Sequence, residues 1–160
     1  MRVAVLCGGK GTRLGTPVKC LTEVAGRPFM DWKLDQLERF GADHITLVVG
    51  PFLAEFQKRY GSRVRYMEDD QSGVRNAVRH VDGWWTWGDT LLDQLPEGKN
   101  VCYVVPGDHI AGLWLDAGLY HGQGPWQMKR SAAWPLTINT PTDLERCGAH
   151  LLRLGLAVGD

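Results

Sequence analysis

A short apolar run, RVAVLC over residues 2–7, stops at Gly8-Gly9 and gives way to Lys10-Gly11-Thr12-Arg13-Leu14. A run of this kind suits a strand buried on both faces of a parallel sheet. Glycines at the carboxyl end of such a strand free backbone N–H groups to surround an anion, and open parallel sheets bind their ligands at that end. The first twenty residues carry Arg2, Lys10, Arg13 and Lys19 and no carboxylate. Cations crowded in this way repel one another unless an anion accepts them. A tight turn with solvated cations is the bland alternative. The loop is neither a GxxxxGKS/T phosphate loop nor GxGxxG, because its glycines fall at 8, 9, 11 and 15.

The rest of the chain sets the class of fold. Phe29, Trp32, Leu34, Leu37 and Phe40 recur at near-helical spacing behind Pro28, which predicts a helix over residues 28–40. ITLVV at 45–49 predicts a second buried strand, residues 52–60 a short helix, and residues 63–67 a strand. A helix over 74–81, an apolar strand VCYVV at 101–105 and a final helix from Pro141 through Leu152 follow. Strands alternating with helices imply one α/β domain over residues 1–160. The expected architecture is a Rossmann-like three-layer α/β/α sandwich with a mainly parallel sheet and helices on both faces. Residues 83–134, with six of the seven tryptophans, give the weakest pattern.

Composition narrows the partners. Eighteen basic and eighteen acidic residues cancel, which speaks against broad nucleic-acid binding. The balance conceals a split, with 13 basic and 9 acidic residues in 1–80 against 5 and 9 in 81–160. No apolar run reaches the ~18 residues of a membrane span. Glycines interrupt the N-terminal run too early for a signal peptide. Cys7, Cys20, Cys102 and Cys147 form no CxxC pair and no Cys/His cluster, so a reducing cytoplasm is expected rather than a zinc site or a disulfide framework.

The stretch LCGGKGTRLGTPVKCLTEVAGRPFMDW resembles the signature of the nucleotidyltransferases that activate sugar 1-phosphates, L-x-G-G-x-G-T-R-L/M, then a proline–lysine element followed by leucine, then G-K/R-P. In this sequence Val18 stands between the proline and the lysine, where the family usually has Pro-Lys. The resemblance implies transfer of a nucleotidyl group from an NTP to a phosphate of an acceptor, with release of pyrophosphate. It also implies that Leu6, Gly8, Gly9, Lys10, Gly11 and Thr12 contact the nucleotide. Arg13 would hold the β- and γ-phosphates, and Lys19 would bridge the α-phosphate and the acceptor phosphate.

Two further segments are similar to metal-binding elements of the family. Val-Pro-Gly-Asp-His at 105–109 resembles the strand-end stretch of mannose 1-phosphate guanylyltransferases, which implies Asp108 as a Mg²⁺ ligand; a carboxylate capping a turn is the alternative. INTPTDL at 138–144 is similar to an element of molybdenum cofactor guanylyltransferases, and to one in uridylyltransferases acting on N-acetylglucosamine 1-phosphate. The latter implies Asn139 as the second Mg²⁺ ligand, with a helix cap ahead of Pro141 as the alternative. Both are hard oxygen donors of the kind Mg²⁺ takes. Glu68 and Gly73 stand where relatives line the base pocket. A carboxylate there accepts from guanine N1–H and N2–H₂, which favours GTP slightly over the other NTPs; a solvated acidic loop is the alternative.

The acceptor is open. A sugar 1-phosphate is the first expectation and the molybdopterin phosphate the second. Only residues 109–136 lie between Asp108 and Thr137, so the acceptor pocket is small, open, or completed by another subunit of a homo-oligomer. The tryptophans could line it, fill the core, or form the interface between copies. A nucleotide-binding domain without turnover is the competing class. An oxidoreductase on a related sheet is disfavoured by the missing GxGxxG and by Val49-Gly50 at the end of the second strand.

Overall fold

The computed structural model describes residues 1–9, 11–70, 83–91, 101–105, 109–115, 127–130 and 136–154. The expected helix over 74–81 lies outside them. The first strand, β1 (Arg2–Leu6), is where the apolar run places it. Two short strands, β2 (Glu23–Val24) and β3 (Arg27–Pro28), pair antiparallel and lead into helix α1 (Phe29–Arg39). Strand β4 (His44–Val49), helix α2 (Leu53–Tyr60) and strand β5 (Arg65–Glu68) follow as the periodicity predicts.

Beyond residue 82 the structure adds strands that the sequence left unassigned. They are β6 (Gly83–Trp87), β7 (Thr90–Leu91), β9 (His109–Leu115), β10 (Gln127–Arg130) and β11 (Leu136–Thr137). The expected strand β8 (Val101–Val105) and the final helix, α3 (Pro141–Arg153), are present.

Seven strands form one sheet in the order β10-β8-β9-β6-β1-β4-β5. Strands β6, β1, β4 and β5 run parallel, β9 is antiparallel to both β6 and β8, and β10 is parallel to β8. The sheet is therefore mainly parallel, in a Rossmann-like α/β fold. Its register sets Leu6 beside both Val48 and Trp87, and Val49 beside Glu68. The carboxyl ends of β1, β4, β5 and β6 consequently line up along one edge.

Both faces of the central strands are buried, as a layered sandwich requires. Val3, Val5, Ile45, Leu47, Val49 and Trp84 pack with Met30, Leu34 and Leu37 of α1 and with Phe56 and Tyr60 of α2. Ala4, Leu6, Val48 and Trp85 form a second buried cluster. A third joins α1 to α3 through Phe29, Trp32, Leu91, Ile138, Cys147 and Leu151. Fully buried side chains such as Phe29, Leu34 and Leu37 each contribute roughly 1.5–3 kcal/mol. Arg63 ties α1 to the end of α2, its guanidinium donating to Asp35 at 2.7 Å and to Glu38 at 2.9 Å. Among the described residues no helix is long and apolar enough to cross a membrane. Cys7, Cys20 and Cys147 are free thiols and buried.

Candidate functional site

The glycine loop leaves the carboxyl end of β1. The Cys7 N–H donates to Val48 O at 2.8 Å, which continues the pairing of β1 with β4 for one more residue. The chain then folds back on itself, with the N–H groups of Leu14 and Thr16 both donating to Gly11 O, at 3.0 and 3.2 Å. A Cβ at Gly11 would sit 2.2 Å from Thr16 O, so this return requires glycine. Thr12 and Arg13 lie exposed on the single turn Thr12–Leu14, and Arg13 makes no ion pair among the described residues. Gly8 is half-buried and Gly9 exposed. Lys10 lies outside the described residues.

Lys19 is held differently. It starts the single turn Lys19–Leu21 between two buried anchors, Val18 and Cys20. The extra residue before the lysine is thus an apolar plug, and the lysine still reaches across the sheet edge. Its ammonium donates to Asp89 Oδ2 and to Asn139 Oδ1. The side chains of Lys19 and Asp89 are 13% and 24% exposed, so the pair stands at the surface of the sheet edge but largely out of water.

Asp89 was not among the residues singled out from the sequence. It follows β6, the immediate neighbour of β1. The Gly88 N–H donates to Leu6 O at 2.9 Å. A Cβ at Gly88 would lie 2.8 Å from Cys20 Sγ, 2.9 Å from Leu6 O and 3.2 Å from Cys7 Sγ. Only glycine lets the Gly88-Asp89 turn press against the base of the glycine loop. The signal available in the sequence was the Gly-Asp pair itself, directly after the aromatic run Trp84-Trp85-Thr86-Trp87.

The turn is also bound to the segment that carries Asn139. Strands β7 and β11 pair antiparallel with Thr90 opposite Thr137, and the Ile138 N–H donates to Asp89 O at 3.0 Å. Thr90 Oγ1 donates to Asp89 Oδ1 at 3.1 Å and lies 3.2 Å from Thr137 Oγ1. A hydroxyl has one proton. With the Thr90 proton on the carboxylate, Thr137 donates to Thr90, giving a relay that ends on Asp89.

Asn139 does not cap α3. Thr140 does, accepting from the Asp143 N–H at 3.3 Å, while Asp143 Oδ2 accepts from the N–H groups of Thr140 and Asn139, each at 2.9 Å. This reciprocal capping box consumes the backbone donors and frees the Asn139 side chain to face Lys19. Partial burial alone would raise the Asp143 pKa, but these hydrogen bonds outweigh it and hold the carboxyl below its ordinary value.

Beneath the turn lies a fully buried lysine. Lys33, in the middle of α1, donates to Thr86 Oγ1 at 3.1 Å and to Thr90 O at 2.5 Å. Burial brings its pKa down to about 7, with the Asp89 charge the largest influence in the opposite direction. Burial pushes the Cys7 thiol well up, and its contact with Cys20 adds to that.

Of the residues expected to form the site, the structure brings Lys19 and Asn139 together and leaves Arg13 exposed on the adjacent loop. Glu68 is exposed at the carboxyl end of the outermost parallel strand, on the same edge of the sheet. Gly73 and Asp108 lie outside the described residues.

Comparison with known proteins shows what the chain is similar to. Residues 3–111 match the family model of the MobA-like NTP transferase domain. The bifunctional protein GlmU of Trichlorobacter lovleyi is 37% identical over 108 residues, 65% of this chain and 21% of that protein. GlmU of Latilactobacillus sakei is 31% identical over 122 residues, 73% of this chain and 24% of that protein. The chain thus aligns with about a fifth to a quarter of these curated relatives. Among solved structures, a putative glucose-1-phosphate thymidylyltransferase from Bacillus anthracis superposes with a TM-score of 0.75 at 14% identity. That match covers 100% of this chain and 97% of that one. The CTP:phosphocholine cytidylyltransferase LicC of Streptococcus pneumoniae superposes with a TM-score of 0.71 at 15% identity, covering 94% and 98%.

Proposed function

The chain belongs to the MobA-like NTP transferase domain family, and we propose that it is a nucleotidyltransferase that moves an NMP group from an NTP to the phosphate of a sugar 1-phosphate. The observation that carries this reading is the meeting of Lys19, Asp89 and Asn139 beside the glycine loop. Acceptor and leaving group are both phosphates, so no covalent intermediate on the protein is required. An oxygen of the acceptor phosphate attacks the α-phosphorus, the bond from that phosphorus to the bridging oxygen breaks, and pyrophosphate leaves with the electron pair. The protein's part is to align the reactants and neutralise charge.

Asp89 and Asn139 fit a divalent cation on the chemistry of their donors. Both are hard oxygens, and both already point at one positive charge, the Lys19 ammonium. Mg²⁺ takes few protein ligands and completes its shell with water and phosphate oxygens. When bound there, Mg²⁺ would supply positive charge for the phosphates of the NTP. Lys19, released from the two oxygens, would turn to the α-phosphate and the acceptor phosphate, and Arg13 would bind the outer phosphates.

We assign the metal-binding carboxylate to Asp89 rather than to Asp108. β6 is one strand from β1, about 4.8 Å, whereas β8, which precedes Asp108, is three strands away, about 14 Å. Glu68 lies along the same edge, which suits contact with a base, and GTP remains the favoured donor. The family match and the INTPTDL element favour one other acceptor, the molybdopterin phosphate.

The test is pyrophosphate release by the purified protein with Mg²⁺, each of the four NTPs, and a panel of sugar 1-phosphates with molybdopterin as a further acceptor. Release with one sugar 1-phosphate is expected. Nucleotide binding without release for any pair would refute the reading in favour of a binding domain.

A further inference from the structure

Lys33 is a lysine with no exposed surface, a rare state for this residue type. A methionine would fill the same volume without placing a charge in the core. What the ammonium adds is two directed hydrogen bonds, and their acceptors are not arbitrary. Thr86 precedes the Gly88-Asp89 turn in β6, and Thr90 follows it at the start of β7. One nitrogen on α1 therefore clamps both ends of the turn from the core side. The Gly88 N–H bond to Leu6 O and the Ile138 N–H bond to Asp89 O hold the same turn from the phosphate loop and from the Asn139 segment. Thr90 is the shared element, since its carbonyl accepts from Lys33 while its hydroxyl donates to Asp89 Oδ1.

We propose that Lys33 is a positioning residue for the metal-binding carboxylate, fixing the Gly88-Asp89 turn so that Asp89 and Asn139 present their oxygens to one divalent cation. The proposal rests on the nucleotidyltransferase reading of the site. Lys33 touches neither nucleotide nor metal in this scheme, and its effect passes through Thr86 and Thr90. The electrostatic influence of Asp89 on Lys33 is in keeping with the two groups lying close together.

The test measures Mn²⁺ binding by electron paramagnetic resonance in the presence of a non-hydrolysable NTP analogue, together with binding of the analogue in EDTA. Lys33→Met is expected to weaken Mn²⁺ binding tenfold or more while changing metal-free analogue binding less than threefold. Lys33→Gln, which keeps an amide donor, is expected to recover part of the loss. Unchanged Mn²⁺ binding in a folded Lys33→Met protein overturns the proposal. So does an equal fall in metal and analogue binding, which would mark a general structural role. If Lys33→Met does not fold, Thr86→Val decides: it keeps the volume and removes one acceptor. A threefold or larger loss of Mn²⁺ affinity supports the clamp, and no change refutes it. Failure of the unaltered protein to bind Mn²⁺ with the analogue would instead refute the nucleotidyltransferase reading, and the clamp with it.

Discussion

The buried lysine makes stability depend on pH in a calculable way. Lys33 has its pKa lowered from 10.5 to about 7 by burial. Between those values the unfolded chain carries a proton that the native protein lacks, so raising the pH stabilises the fold. At pH 6 the ammonium is charged in both states and the cost of burying it is fully present. The gain accrues at about 1.4 kcal/mol per pH unit once the pH exceeds 7. Integrated from pH 6 to 8, Lys33 contributes about 1.4 kcal/mol of added stability. The window stops at 8 because unfolded thiols ionise near 8.5, and the buried Cys7 thiol, pushed upward, contributes with the opposite sign above that. Urea unfolding followed by tryptophan fluorescence at pH 6, 7 and 8 measures the trend. Subtracting the Lys33→Met profile removes the histidines and all other common terms. The difference should grow by about 1.4 kcal/mol in favour of the unaltered protein across the window. Parallel pH profiles for the two proteins would refute the reasoning.

Other residues make separable predictions. Gly88→Ala drives a Cβ against Cys20 Sγ and Leu6 O, and should cost about 1–3 kcal/mol in urea unfolding while lowering pyrophosphate release at least tenfold. Thr140→Ala removes the cap of α3 and should cost about 1 kcal/mol with little change in kcat. Asn139→Ala should do the reverse, sparing stability and lowering turnover, since its side chain serves Lys19 and not the helix. Lys19→Ala should lower kcat by roughly 10²–10³, as loss of a preorganised charge does, with circular dichroism unchanged. Glu68→Gln should narrow the preference for GTP over UTP in a competition assay if this carboxylate reads the guanine edge.

Where the sequence succeeds, its signals are local. RVAVLC and ITLVV are buried on both faces, so their hydrophobicity alone marks them as strands, and the glycines that end the first place a glycine loop at the sheet edge. The capping box at Thr140 and Asp143 fixes α3 within its own first turn. Asp89 was harder to see because β6 is built from tryptophans and a threonine with no aliphatic run to mark it. The aliphatic run VCYVV is the more conspicuous strand signal in this half of the sequence. Strand order sets β6, and with it the Gly88-Asp89 turn, beside β1, and strand order is a long-range property. Lys33 was missed for a related reason. It interrupts the apolar spacing of α1 and looks like a solvent position, and only the meeting of α1 with Thr86 and Thr90 gives its charge a partner.

The decisive measurement compares Asp89→Asn and Asp108→Asn in pyrophosphate release, using the NTP and acceptor pair that the unaltered protein turns over. Asp89→Asn should keep its fold and lose turnover by about 10² or more, the scale seen when a charge-stabilising group is removed. Full turnover in Asp89→Asn, with loss in Asp108→Asn, would contradict a centre built from Lys19, Asp89 and Asn139.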